Sequence, residues 1–199
     1  MSYQRGPLGR LLFLSLLFFG GLLLGQAAAV RVPEAALVEL QAYLTDFFSL
    51  ERRPLPEMAV STLVLYFRYP LMAFLLGFAS IGVIFLPLAG LAFGFFLSFS
   101  VCCFTAVFGS GGVLLALAVF GLRCGLTIPG FFLLAAPSLG TAAALAGTGK
   151  RGRRSLPVVY GRACWLRLAV VCGVLLAGVL LDLMISPWLV EIVLGRILS

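Results

Sequence analysis

The sequence LAGLAFGFFLSFSVCCFTAVF, at residues 88–108, carries no charged side chain over its whole length. A helix needs about 20 predominantly apolar residues to cross the hydrocarbon core of a bilayer, which is about 30 Å thick. In lipid, every backbone N–H and C=O group has to be hydrogen-bonded within the protein, and an α-helix meets this condition by itself. The stretch therefore predicts a transmembrane helix.

The composition of the whole chain extends this prediction. Of the 199 residues, 62% are hydrophobic and 11% are charged, whereas about 25% of the residues of soluble domains are charged. The mean hydropathy is +1.17. We therefore predict an all-α fold, a polytopic integral membrane helix bundle that lies in the cell membrane as a multi-pass protein in contact with lipid.

The net charge of the chain is +7, from 14 Lys and Arg residues against 7 Asp and Glu residues. A strongly basic chain can bind nucleic acid, but here the cations cluster beside apolar runs. Cytoplasmic loops of membrane proteins carry such an excess of Lys and Arg. The charge therefore indicates membrane topology and contact with anionic lipid headgroups, and we expect no nucleic-acid partner.

Apolar runs divide the chain into about five predicted spans within a single membrane domain, residues 1–199. The predicted spans are 11–30, 70–87, 88–108, 113–146 and 165–185, with the fourth broken near Pro129. The densest basic segment is the loop 147–163, which we place in the cytoplasm. Together with Arg5 and Arg10 before the first span, this predicts an N-terminus inside and a C-terminus outside.

Two prolines are expected to bound the second span. Pro70 would begin it and Pro87 would lie in the tight connection to the third span. Three residues would then lie at the outer membrane interface, where aromatic rings and cations are favoured: Tyr66, Arg68 and Tyr69.

The first apolar run has a second interpretation. It ends in Gln26-Ala-Ala-Ala29, which resembles the cleavage site of a secretory signal peptide. The run is also long enough to span, and the topology above retains it as a helix. Both interpretations place the N-terminus in the cytoplasm.

The polar segment 32–57 contains most of the acidic residues of the chain, so we predict that it lies on the outer side. Large apolar residues recur in it at helical spacing, which predicts a short amphipathic helix. This apolar stripe consists of Leu37, Leu40, Leu44, Phe47 and Phe48. The stripe either rests on the membrane and the neighbouring spans or forms a docking surface for an outer protein partner.

Two charged residues fall inside predicted spans, Arg123 in the fourth and Asp182 late in the fifth. A charged side chain at the centre of a membrane helix costs about 3 kcal/mol on insertion scales. We interpret the two residues as a candidate intramembrane pair at similar depth. Snorkelling to the interface and a role in moving an ion or substrate are the alternatives.

No combination of residues in the sequence predicts catalysis. The chain has no histidine, and its five cysteines include no Cys-x-x-Cys pair of the kind that binds zinc. Ser98, Ser100 and Thr105 have no base nearby in the sequence, and no phosphate-binding loop is present. We therefore expect no enzyme activity, no catalytic residue, no cofactor and no metal.

Glycines four residues apart occur three times within the predicted spans. Such spacing lets two helix backbones approach closely, and packing of this kind holds helices together in lipid. The three candidate packing pairs are Gly21/Gly25, Gly90/Gly94 and Gly121/Gly125.

Glycine-containing stretches follow one another in a particular order between Tyr66 and Gly140. They are Gly77-Phe-Ala-Ser-Ile-Gly82, Leu88-Ala-Gly-Leu-Ala-Phe-Gly94 and Leu126-Thr-Ile-Pro-Gly-Phe-Phe-Leu-Leu-Ala135, and the C-terminal region adds Asp182-Leu-Met-Ile-Ser-Pro187. With the number of spans, this order resembles the stage II sporulation protein M family.

The resemblance implies a polytopic membrane protein that acts in engulfment during endospore formation. In that family the membrane protein is a scaffold that anchors peptidoglycan-degrading partners, a lytic transglycosylase and an amidase, and the catalysis lies in the partners. An alternative function is a membrane subunit of a transporter or permease that works with a separate ATPase. It would use the broken fourth helix and the Arg123–Asp182 pair.

Overall fold

The computed structural model describes residues 7–49, 55–148 and 161–197. Within these ranges the chain forms six helices and no strand. The helices are α1 (Pro7–Ala29), α2 (Glu34–Ser49), α3 (Leu55–Leu76), α4 (Gly82–Phe108), α5 (Ser110–Thr148) and α6 (Arg162–Ile197). All except α2 are long and apolar enough to cross a membrane. The predicted fold class, a polytopic helical membrane bundle with five spans, is confirmed.

The boundary between the second and third spans differs from the prediction. The span 70–87 is wrong, because α3 ends at Leu76 and α4 begins at Gly82, whereas the predicted span 88–108 lies inside α4. Pro70 and Pro87 both lie inside helices, since neighbouring helices and local adjustment can satisfy the backbone groups that a proline leaves free in a membrane bundle.

The turn between α3 and α4 forms instead where two glycines allow close approach. A Cβ atom on Gly82 would overlap the carbonyl oxygen of Leu76. The Thr141 hydroxyl of α5 donates a 3.0 Å hydrogen bond to the carbonyl oxygen of Gly77. The turn is therefore closed by backbone contact between Gly82 and Leu76 and is fixed to α5 by a side-chain hydrogen bond.

The fourth span is not broken near Pro129. α5 is one continuous helix of 39 residues that includes both Pro129 and Pro137. At 1.5 Å per residue it is about 58 Å long, so it extends beyond the hydrocarbon core. Likewise α6 continues past the predicted end of the fifth span at residue 185 and includes Pro187.

The largest interface among the described helices lies between α1 and α4. Cβ atoms on Gly21 and Gly25 of α1 would overlap the backbone carbonyls of Leu91 and Phe95, respectively. A Cβ atom on Gly94 of α4 would overlap the carbonyl of Phe18. Glycine is required at all three positions because the opposing atoms are backbone, which cannot move aside as a side chain can.

The third predicted glycine pair makes no such contact. A Cβ atom on Gly125 would meet no atom within 4 Å, and one on Gly121 would meet only the side chain of Leu117, from its own helix. The spacing of these glycines is therefore not used to pack α5 against another described helix.

Two groups of buried side chains form the main core of the bundle. The first joins α1, α3, α4 and α5 and consists of Leu14, Phe18, Ala73, Leu86, Phe93, Phe131, Ala135, Ala136 and Leu139. The second joins α3, α5 and α6 and consists of Tyr66, Phe74, Leu134, Val171, Leu175 and Val179. Tyr66 of the second group lies against the guanidinium group of Arg123.

Candidate functional site

The structure brings together the two charged residues that the sequence placed inside spans. Nη2 of Arg123 on α5 lies 3.0 Å from Oδ2 of Asp182 on α6. The side chain of Asp182 is 3% exposed and that of Arg123 is 19% exposed. Since a charge in a medium of low dielectric constant is costly without a partner, each residue makes the position of the other tolerable.

Tyr66 of α3 completes this polar centre. Its ring lies beneath the guanidinium group of Arg123, with Cζ of the arginine 5.8 Å from the ring centroid. Tyr66 is 0% exposed and belongs to the core, so its ring packs between helices, while its depth at the outer membrane interface stays a prediction. The ring fits because α6 has glycine at Gly178, where a Cβ atom would lie 2.9 Å from Cε1 of Tyr66.

Two polar atoms of this centre have no hydrogen-bond partner among the described residues. They are the hydroxyl oxygen of Tyr66 and Nε of Arg123, and both are buried. The neighbouring Thr127 hydroxyl, by contrast, donates a 2.7 Å hydrogen bond to the carbonyl oxygen of Arg123. The centre thus combines one satisfied ion pair with two buried polar atoms that are not satisfied.

A cavity of about 140 Å³ lies beside the polar centre, between α3, α4 and α5. Arg68 of α3 and Arg123 of α5 both line it. The guanidinium group of Arg68 donates a 2.7 Å hydrogen bond to the hydroxyl of Tyr69, and the Tyr69 ring stacks on Phe93 with centroids 4.3 Å apart. We call this space the lateral cavity.

Arg68 lies inside α3, whereas the predicted span begins after it, at Pro70. The apolar part of α3 that could cross a membrane runs from Ala59 to Leu76. At 1.5 Å per residue, Arg68 lies about 14 Å from Ala59 and about 12 Å from Leu76. Its side chain is exposed, and it lines the lateral cavity.

A second cavity, of about 300 Å³, lies between α3, α5 and α6 near the turn that follows α3. Its lining includes the guanidinium-bearing side chain of Arg167, together with Ser138, Thr141 and Cys164. The Thr141 hydroxyl is already engaged with the carbonyl oxygens of Gly77 and Ser138. This cavity has one cation, whereas the lateral cavity has two.

The predicted docking stripe is described only in part. Leu37 and Leu40 are half-buried, while Val38 on another side of α2 is 65% exposed. α2 contacts α4, so part of this helix packs against the bundle. The other members of the stripe, Leu44, Phe47 and Phe48, lie on the helix, but their side chains are outside the described residues.

The potential metal ligands and the thiols of the described residues are the next feature of the site. There, no group of three or more His, Cys, Asp or Glu side chains could hold a metal ion. The five cysteines are free thiols. The chemistry that this geometry does support is electrostatic, namely one buried ion pair and a second arginine facing a common cavity.

Sequence reasoning found the Arg123–Asp182 pair but missed Tyr66 and Arg68. It treated Pro70 as the start of a span, and this placed both residues at the outer membrane interface. The continuous apolar character of residues 59–76 was the signal that could have shown both residues to be inside a span. No property of the sequence alone pairs Tyr66 with Gly178, because they lie on different helices.

No protein-family model, no curated protein and no solved structure matches this chain.

Proposed function

We propose that this chain is a non-catalytic scaffold of the cell membrane that holds peptidoglycan-degrading enzymes during endospore formation. The resemblance to the stage II sporulation protein M family supplies the kind of partner, a lytic transglycosylase and an amidase. The observation that carries the proposal is α2, a helix of 16 residues that lies between two membrane helices and is not itself a span.

The position of α2 in the chain gives it a suitable place for docking. α1 precedes it and α3 follows it, and both are long enough to cross the membrane. Both ends of α2 are therefore on the same membrane face. Charged and exposed residues on this helix include Glu34 and Glu39, and the exposed Val38 adds apolar surface. A helix of this kind can present an apolar side to a folded partner.

The proposal requires α2 to face the outside, because peptidoglycan lies there. In a variant that lacks the native cysteines, a cysteine replacing Pro56 should react with a membrane-impermeant thiol reagent added to intact cells. A cysteine replacing Gly152, in the basic loop, should be protected until the cells are lysed. Reaction of both from outside would rule out the five-span topology, and protection of the cysteine at residue 56 would rule out the docking role.

The docking role itself is tested by two substitutions on the stripe. Leu44→Ser with Phe47→Ser should release the hydrolases from the full-length protein in a pull-down from sporulating cells, since a few large side chains dominate most interfaces. The matched control is Ala35→Ser with Ala42→Ser, which places the same new side chains on the opposite face of α2. Both alanines are exposed, and the control should retain the hydrolases.

Protein abundance separates docking from a purely structural role. If the stripe only rests on lipid or on α4, the Leu44/Phe47 variant lowers abundance, and hydrolase recovery per molecule stays unchanged. Loss of hydrolases at normal abundance supports docking. Retention of hydrolases at normal abundance contradicts it, and recovery of an ATPase in place of hydrolases would favour the transporter alternative.

The geometry gives the transporter alternative less support than the scaffold. That alternative relied on a break near Pro129, whereas α5 is continuous there. Its other feature is the Arg123–Asp182 pair, in which the two side chains bind each other at 3.0 Å rather than a substrate. The scaffold therefore remains the function that these helices support best.

A further inference from the structure

Arg68 lies within α3, a helix long and apolar enough to cross a membrane, and its guanidinium group has no carboxylate partner among the described residues. Its described polar contacts are the hydrogen bond to the Tyr69 hydroxyl and the approach of its guanidinium to the Tyr69 ring, 4.7 Å from the centroid. A phenol is neutral and leaves the positive charge uncompensated.

The lateral cavity is lined by a second arginine besides Arg68. Arg68 and Arg123 come from different helices and line the same space, and no acidic residue is among the residues that line it. Asp182 neutralises Arg123 through one guanidinium nitrogen, so the two arginines and this aspartate together keep one net positive charge. Charged residues inside a membrane are costly unless paired, and they mark binding sites by default.

We propose that the lateral cavity binds the anionic headgroup of a membrane lipid, with Arg68 and Arg123 as its ligands. A phosphate or carboxylate oxygen would accept charge-assisted hydrogen bonds from both guanidinium groups, because this group offers several planar donors that suit such anions. Ser100 also lines the cavity, and its hydroxyl adds a neutral donor. The bound anion would balance the remaining positive charge.

The walls of the cavity favour a lipid over a small soluble anion. Most of the lining is apolar, and Leu65 and Phe96, at its edge, are exposed large hydrophobic residues. On the outer surface of a membrane bundle such residues face acyl chains. A ligand that enters from the lipid phase can leave its chains against this apolar rim while its headgroup meets the arginines.

The experiment uses the full chain purified in a neutral detergent, to which lipids with identical acyl chains are added. Phosphatidylglycerol should bind, as seen by native mass spectrometry, and raise the melting temperature, whereas phosphatidylcholine should do neither. Arg68→Gln should weaken phosphatidylglycerol binding about tenfold, the size expected for one lost charge-assisted hydrogen bond. This variant leaves the Arg123–Asp182 pair in place.

Two further variants make the result specific to the cavity. Arg31→Gln removes the same charge from an exposed position after α1, and it should bind phosphatidylglycerol like the unaltered protein. Ser100→Leu fills the cavity without changing any charge, and it should lose binding. Ser100→Leu also tests whether the lipid binds in the cavity if Arg68→Gln does not fold.

Several results would overturn the proposal. Equal weakening in Arg31→Gln and Arg68→Gln would mean that surface charge alone attracts the lipid. Competition by glycerol phosphate at equal strength would identify a soluble anion as the ligand. A third such result is that phosphatidylglycerol has no effect while Arg68→Gln dissociates an oligomer or a complex. In that case the anion that pairs with Arg68 is an acidic residue of a partner helix.

Discussion

The α1–α4 interface and the α3–α5–α6 region hold the bundle together by different physical means. Between α1 and α4, glycines meet backbone carbonyls and aromatic rings pack at their edges, as Phe18 does on Phe93 with centroids 5.7 Å apart. Between α3, α5 and α6, an ion pair and a buried tyrosine lie among the apolar side chains. The first region is closely packed and uncharged, and the second carries the charges.

The difference shows which region is specialised for stability alone. Helices in lipid gain no hydrophobic energy by association, so close packing must supply the attraction. The α1–α4 interface does this with small residues. The second region includes a buried aspartate and two buried polar atoms without a hydrogen-bond partner in the described part of the chain, and these add cost without improving packing. Features of this kind in a membrane bundle indicate function.

The largest expected effect is the loss of one member of the ion pair. Arg123→Gln should lower the free energy of unfolding by about 3 kcal/mol, because the buried carboxylate of Asp182 loses its charged partner. Adding Asp182→Asn should restore part of that loss, since no uncompensated charge then remains. The measurement is thermal unfolding in detergent for both single variants and the double variant.

The three variants form a double-mutant cycle, which tests whether the two residues are energetically coupled. If the double variant is destabilised by the sum of the two single effects, the residues are not energetically coupled, and the 3.0 Å contact has no role in stability.

An intermediate effect is expected at the glycines of α1. Gly21→Ala should destabilise the protein by about 1–3 kcal/mol, because its Cβ would overlap the backbone carbonyl of Leu91 and force α1 away from α4. The adjacent Gly20→Ala is a matched control, since its Cβ would meet no atom within 4 Å. The control should change stability by at most about 1 kcal/mol, in the stabilising direction. Equal behaviour of the two variants would show that α1 does not pack on α4 at Gly21.

The smallest effect is expected at the buried tyrosine. Tyr66→Phe should be neutral or stabilising, by about 1 kcal/mol at most, because it removes a buried hydroxyl that has no hydrogen-bond partner among the described residues. Tyr69→Phe is the same chemical change three residues later. It should destabilise by about 1 kcal/mol, since the Tyr69 hydroxyl accepts a 2.7 Å hydrogen bond from Arg68.

Opposite signs at these two positions would sharpen the distinction between an unsatisfied and a satisfied polar group. A clear loss of stability for Tyr66→Phe would instead mean that its hydroxyl has a partner in the native protein.

Much of the architecture follows from the sequence. The number of spans and the all-helical class were predictable because apolar runs of sufficient length have one stable form in lipid. The Arg123–Asp182 pair was predictable because each charge is costly by itself at such a position. Two of the three glycine pairs contain residues that meet another helix, and for these the spacing was an informative signal.

The tertiary structure alone decided where helices begin and end around prolines and which residues meet. Pro70, Pro87 and Pro129 all lie within helices, because the cost of a proline depends on what neighbouring helices offer to the freed backbone groups. Gly125 meets no other atom within 4 Å, whereas Gly21 meets a carbonyl of another helix.

The physical reason for this division is the range of each interaction. Transfer of a residue into lipid depends on its own side chain and its neighbours along the chain, so it can be read from the sequence. Contacts such as Tyr66 with Gly178, or the arrangement of Arg68 and Arg123 around one cavity, depend on how separate helices are oriented. That orientation is set by packing over the whole bundle.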